Sequence, residues 1–153
     1  MQYQSFSPRQ NATLFWWTKP EHQNRDGLIC DGSIRSGKTV SMAIGFIMWS
    51  MASFDKQDFA ICGRTIEALR RNVIVHIPAW LEGMFEVTER RSENKMVVTI
   101  GNRSNTYYLF GGRDESSYTL IQGITLAGVL FDEVALMPRS FVEQAMARCS
   151  VSG

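Results

Sequence analysis

Two groups of residues in this chain have the types and spacing to do chemistry together. Gly32, Ser33, Ile34, Arg35, Ser36, Gly37, Lys38 and Thr39 fit the pattern G-x-x-x-x-G-K-[ST]. A glycine loop of this shape turns successive backbone N–H groups inward as a nest for phosphate oxygens. The lysine then reaches the β- and γ-phosphates and the last hydroxyl coordinates Mg²⁺. Far down the chain, the apolar run Val129, Leu130, Phe131 ends in Asp132 and Glu133. Ligands of open α/β sheets bind beyond the carboxyl ends of strands, so these acids are expected to face the phosphate loop. Asp132 would hold Mg²⁺ beside Thr39, through water. Glu133 would act as general base or orient water at a γ-phosphate. The expected cofactors are ATP and Mg²⁺. The plain alternatives are a ligand-free glycine turn and a solvated acidic strand end.

Other residues carry weaker signals. Arg35 lies inside the loop, where it could neutralise charge developing on a γ-phosphoryl group and join Lys38 and Glu133 in catalysis; it could equally face solvent. Gln10 offers one amide donor and one acceptor, which match adenine N6 and N7. Arg64 in the Gly63-Arg64-Thr65 turn could touch DNA phosphate or relay nucleotide state, with a plain helix cap at Thr65 as the alternative. Arg113 could reach a neighbouring subunit's nucleotide, although a solvated loop is the simpler reading. The pairs Arg70-Arg71 and Arg90-Arg91 read as exposed faces. His22 and His76 have no metal-like partners nearby in sequence, and Trp16-Trp17 read as packing an N-terminal helix.

These residues need elements to position them. Residues 27–31 form a short apolar run before the loop, as a buried parallel strand should, and residues 40–49 read as a buried helix after it. Strand, loop and helix then place phosphate on a helix N-terminus. A second strand is expected at Asp58–Gly63. Thr65 should cap a helix running to the boundary set by Pro78. Lys95–Ile100 and residues 106–110 are β-rich and separated by Gly101-Asn102-Arg103-Ser104-Asn105, a hairpin ended by Gly111-Gly112. Residues 128–133 should be a further strand, and 140–149 a helix. Strands alternating with helices imply an α/β sheet with parallel central strands.

The chain has 153 residues, 44% hydrophobic and 20% charged, which describes one globular domain. Sixteen basic and 15 acidic residues give a net charge of +1. That balance excludes an overall electrostatic footprint for nucleic acid, so any DNA contact must rest on local patches. Cys30, Cys62 and Cys149 lack metal-ligand spacing, and the first two lie in apolar runs where free cysteine acts as a small core residue. No secretory signal opens the chain, which reads as a reducing, cytosolic setting. The longest apolar stretch, residues 40–52, is too short and interrupted to span a bilayer.

Taken together, Ser7-Pro8-Arg9-Gln10, residues 31–39, Phe110-Gly111-Gly112-Arg113-Asp114 and residues 122–134 resemble the large terminase subunit of tailed bacteriophages. The two phosphate-site motifs are generic. The arginine within the loop and the run I-x-G-I-T-x-x-G-V-x-x-D-E are more specific. The resemblance implies a P-loop NTPase fold of the ASCE type, a mostly parallel sheet flanked by helices. It implies an ATPase motor that drives double-stranded viral DNA through a portal protein into a procapsid. Sister copies would form a ring, with the small terminase subunit as a partner, in the host bacterial cytoplasm. On this likeness Gln10 maps to the adenine motif, residues 32–39 to Walker A, Asp132 to Walker B and Glu133 to the catalytic carboxylate.

Some relatives carry an arginine just before the glycine that leads into Walker B; here that residue is Gln122. The family pattern also continues into a coupling-motif strand and a nuclease domain. Residues 1–153 therefore read as an N-terminal ATPase domain incomplete at its C-terminus, a fragment or truncated prophage product, with no nuclease assigned to it. Two competing functions stand beside this one. A helicase-like P-loop ATPase is disfavoured because Val134-Ala135 follow Glu133, where many helicases have D-E-x-[HD]. A non-hydrolysing fragment that contacts portal or sister subunits is the alternative from a different class.

Overall fold

The computed structural model describes residues 38–132 and 137–149, with Lys38 described by its backbone alone. Helix α1 (Lys38–Ser53) is longer at both ends than the apolar run that predicts it. It has no proline and buries Ala43, Ile44, Ile47 and Met51 along one face, the spacing an amphipathic helix requires. Strand β1 (Asp58–Gly63) is buried from Phe59 onward, as befits a central strand covered on both sides. Thr65 caps α2 (Ile66–Asn72), its hydroxyl accepting the Ala68 N–H at 3.1 Å. That helix stops earlier than expected. Val73 leaves helical geometry, a 3₁₀ turn (Ile74–His76) follows, and Pro78 lies in the first turn of the short α3 (Ile77–Trp80). Pro78 therefore opens a helical turn instead of closing one, because proline at that position loses no intrahelical hydrogen bond.

Strands β2 (Glu86–Arg90), β3 (Lys95–Ile100) and β4 (Arg103–Gly111) form an antiparallel run. The β3–β4 loop is tighter than the five residues expected. Ile100 pairs with Arg103, which leaves Gly101 and Asn102 as the turn. Gly101 has φ of +54°, the left-handed value a two-residue hairpin asks of its first position. After β4 come α4 (Glu115–Ile121), β5 (Gly128–Phe131) and α5 (Arg139–Ala147). The sheet order is β2-β3-β4-β1-β5, with β1 parallel to both β4 and β5. Among the described residues the α/β sheet is therefore mixed: β4, β1 and β5 run parallel on one side, and the antiparallel hairpins extend it on the other. An isolated parallel bridge pairs Leu126 with Cys149, so the segment after α5 starts alongside the approach to β5.

Alternation along β1 divides the core into two layers. Phe59 and Ile61 pack with α1, α2 and α3 on one face, while Ala60 and Cys62 pack with Ile121, Phe141 and Ala145 on the other. Among the described residues no helix is long and apolar enough to cross a membrane. The expected strand at 27–31 lies outside the described residues.

Candidate functional site

The carboxyl ends of β4, β1 and β5 lie side by side, and the N-terminus of α1 comes to the same edge. There the two halves of the sequence signal meet. Thr39 Oγ1 lies 3.5 Å from Asp132 Oδ1 as a hydrogen-bond donor, across a sequence separation of 93 residues. Both residues are half-buried. Asp132 follows directly on β5, and its backbone N–H donates to the Cys62 carbonyl at 2.8 Å, so strand pairing continues through it and aims it past the sheet edge. Thr39, Met42, Ala43, Val73, Leu130, Phe131 and Asp132 line a recess of about 10 Å³, room for no more than one water.

A glycine sets the spacing between α1 and β5. A Cβ added at Gly128 would lie 2.8 Å from the Trp49 ring and 3.2 Å from Phe59. Only a bare backbone lets Trp49 of α1 lie across the start of β5. Trp49 also packs edge-on against Phe54 and Phe59, so the helix is keyed to the sheet by ring geometry as well as by area. The last glycine before the apolar strand in the I-x-G-I-T-x-x-G run therefore has a packing reason.

The neighbouring turns are stitched together mainly through backbone. Gly112 N–H donates to the Gly63 carbonyl at 2.9 Å and Arg113 N–H to the Arg64 carbonyl at 3.0 Å. The Asp114 carboxylate accepts the Ile66 N–H at 3.0 Å, which places negative charge at the start of α2. A Cβ at Gly111 would meet that carboxylate at 2.0 Å, the Ile66 nitrogen at 2.7 Å and Thr65 Cα at 2.8 Å. This close approach demands glycine. Ser117, buried in α4, accepts the Gly111 N–H at 3.0 Å.

The sequence candidates fall into three groups. Thr39 and Asp132 are brought together. Gln10, Gly32, Ser33, Ile34, Arg35, Ser36, Gly37 and Glu133 lie outside the described residues, as do His22 and Trp16-Trp17; the side chain of Lys38 does too. The remaining candidates have local roles. Thr65 is a helix cap, Arg113 is exposed on its turn, and Gln122 is exposed after α4. Arg70 departs from the exposed-face reading: its guanidinium donates to Glu89 Oε1 at 3.1 Å, the Arg91 carbonyl at 2.8 Å and Asn94 Oδ1 at 2.6 Å, tying α2 to the β2–β3 hairpin. His76 stacks on Trp80. Cys62 is a core thiol whose ionisation burial pushes far up.

Thr39 and Asp132 offer a hydroxyl and a carboxylate, both hard oxygen donors. Mg²⁺ is held by few protein oxygens, with water and phosphate completing its octahedron, so this donor pair fits it. Among the described residues no cluster of three or more His, Cys, Asp or Glu side chains could hold a metal on its own.

No protein-family model and no curated protein matches the chain. Solved structures do. The large terminase from a thermophilic bacteriophage is 53% identical, with a TM-score of 0.94 over 98% of this chain. Its complex with ADP gives 51% identity and a TM-score of 0.90 over 97% of this chain. Its complex with ATP-γ-S gives 49% and 0.88 over the same share. This chain spans 36–37% of the length of those proteins. Sequence identity of this order, carried along nearly the whole chain by the same fold, means that the chain belongs to the large terminases of bacteriophages.

Proposed function

We propose that this chain is the ATP-binding and ATP-hydrolysing motor module of a phage terminase large subunit, which drives double-stranded viral DNA into a procapsid. The observation that carries the reading is the 3.5 Å approach of Thr39 to Asp132 at the carboxyl edge of the sheet. Solved large terminases of the same fold in complex with ADP and with ATP-γ-S support it.

Residues 32–37 would cradle the phosphates with backbone N–H groups, and Lys38 would pair with the β- and γ-phosphates. Gln10 would hold adenine. Thr39 and Asp132 would hold Mg²⁺, which when bound neutralises phosphate charge and fixes phosphate geometry. Glu133 would accept a proton from, or orient, the attacking water, and Arg35 would stabilise charge on the departing phosphoryl group. The partners proposed are double-stranded DNA, the portal protein, the small terminase subunit and sister copies in a ring, in the host bacterial cytoplasm. No nuclease step is assigned to these residues.

Glu133→Gln tests the reading, because it keeps size and hydrogen bonding but removes the base. ATP turnover should fall by about two orders of magnitude or more while ATP affinity stays near wild type. Equal turnover in the two proteins would remove the role given to Glu133.

A further inference from the structure

The rear of α1 is fastened by one face of one strand. Arg103, Asn105 and Tyr107 alternate along β4 and so point the same way. Asn105 is buried and uses its whole amide. Its Nδ2 donates to the Ser50 carbonyl at 3.2 Å and the Phe54 carbonyl at 3.1 Å, and its Oδ1 accepts the Gln57 N–H at 3.0 Å. Arg103 Nη1 donates to the Met51 and Ala52 carbonyls, each at 3.0 Å. These carbonyls belong to the last turn of a helix, where partners within the helix run out. Arg103 also brings a cation to the negative end of a helix that has no basic residue in its own last turn.

Tyr107 completes the fastening. Ser50 Oγ donates to the Ile47 carbonyl at 2.9 Å, so its single hydrogen is committed. The hydrogen between Ser50 Oγ and the Tyr107 hydroxyl must then come from the tyrosine. Burial raises the pH at which the tyrosine ionises, which keeps its hydroxyl a donor. Hydrophobic attraction is non-directional, so beyond the ring packing of Trp49 it is the bonds to several carbonyls of the last turn that give α1 a preferred axial position. The anchored turn lies about 16 Å behind Thr39 on a rigid helix.

We propose that Ser50, Asn105 and Tyr107 are positioning residues for the nucleotide metal: they fix α1 along its axis and so set the distance of Thr39 from Asp132. This inference rests on reading Thr39 and Asp132 as the magnesium-holding pair. The metal-dependent part of nucleotide affinity is therefore controlled from the opposite end of the helix.

The test is calorimetric ADP affinity with and without Mg²⁺, on the whole chain, for wild type, Tyr107→Phe, Ser50→Ala and the double variant, well below each melting temperature. Tyr107→Phe should reduce the Mg²⁺-dependent tightening about fivefold, with metal-free ADP affinity unchanged. The double variant should lose no more than the worse single one, since both cut the same bond. A lowered melting temperature with an unchanged Mg²⁺ ratio would reduce these residues to ordinary core and overturn the inference. Loss of metal-free and metal-dependent affinity in equal measure would overturn it too. If wild type itself bound no ADP, the nucleotide reading would fall, and this inference with it.

Discussion

The two ends of α1 lie in different chemical surroundings. At the rear, side chains do the fastening: Asn105, Arg103 and Tyr107 meet the carbonyls and hydroxyl of the last turn. At the front, the strand ends are joined largely by backbone, with glycines at Gly63, Gly111 and Gly112 and one carboxylate, Asp114, on the α2 N-terminus. The polar side chains that meet there, Thr39 and Asp132, touch through one long hydrogen bond of 3.5 Å. A backbone frame leaves side chains at the front for chemistry, whereas the rear spends its side chains on holding position. A site of this kind is preorganised by its far end as much as by its near one.

Breaking the front frame should cost the most stability. Gly111→Ala forces a methyl into the Asp114 carboxylate and the backbone of Thr65 and Ile66, none of which can yield without tearing the turn. A loss of about 3 kcal/mol in chemical denaturation is expected, the upper range for overpacking. At the rear, Asn105→Ala leaves the Phe54 carbonyl and the Gln57 N–H without their partner, while the Ser50 carbonyl keeps the Phe54 N–H. It should cost about 2 kcal/mol, measured in the same way.

Between the two sits Gly128, whose added methyl meets the Trp49 ring instead of backbone. A ring can tilt, so Gly128→Ala should cost about 1 kcal/mol, less than Gly111→Ala. An equal cost at both glycines would mean that the α1–β5 contact is as rigid as the stitched turns. The smallest effect is one of pH. Tyr107 ionises near pH 10.0 in an open chain and higher when buried. Above that pH the folded form binds more protons than the unfolded one, so stability falls as pH rises, and below it the contribution is constant. Cys62 drifts the same way in both proteins. The alkaline fall should therefore be shallower in Tyr107→Phe than in wild type, as read by melting temperature between neutral and alkaline pH.

Much of this arrangement could be read from the residues alone. Asp58–Gly63 and Lys95–Ile100 are continuous or alternating apolar runs with turn residues at their ends, and both stand as strands with the expected bounds. The facing of Thr39 and Asp132 followed from one general property of open sheets. The edge strand β2 was not legible because its residues, Glu-Val-Thr-Glu-Arg, bury little and so show no apolar pattern. Helix α4 was hidden for a similar reason: Glu-Ser-Ser-Tyr-Thr-Leu-Ile has weak helix formers, and it is held by Ser117 and Ile121 against the core. The rear anchor was missed because Arg103 and Asn105 read as hairpin loop. The only signal that could have found it is polar residues alternating into a strand that ends in Tyr107, which is intelligible only once the helix they cap is placed.

Whether Thr39 and Asp132 hold the metal of a bound nucleotide is decided by steady-state ATP turnover of wild type and Asp132→Asn across a Mg²⁺ titration. The amide keeps the shape and one oxygen but removes the charge. Wild type should turn over ATP with saturable dependence on Mg²⁺, and Asp132→Asn should fall by about a hundredfold or more at any Mg²⁺ concentration. Matching turnover and matching Mg²⁺ dependence in the two proteins would mean that Asp132 does not hold the metal.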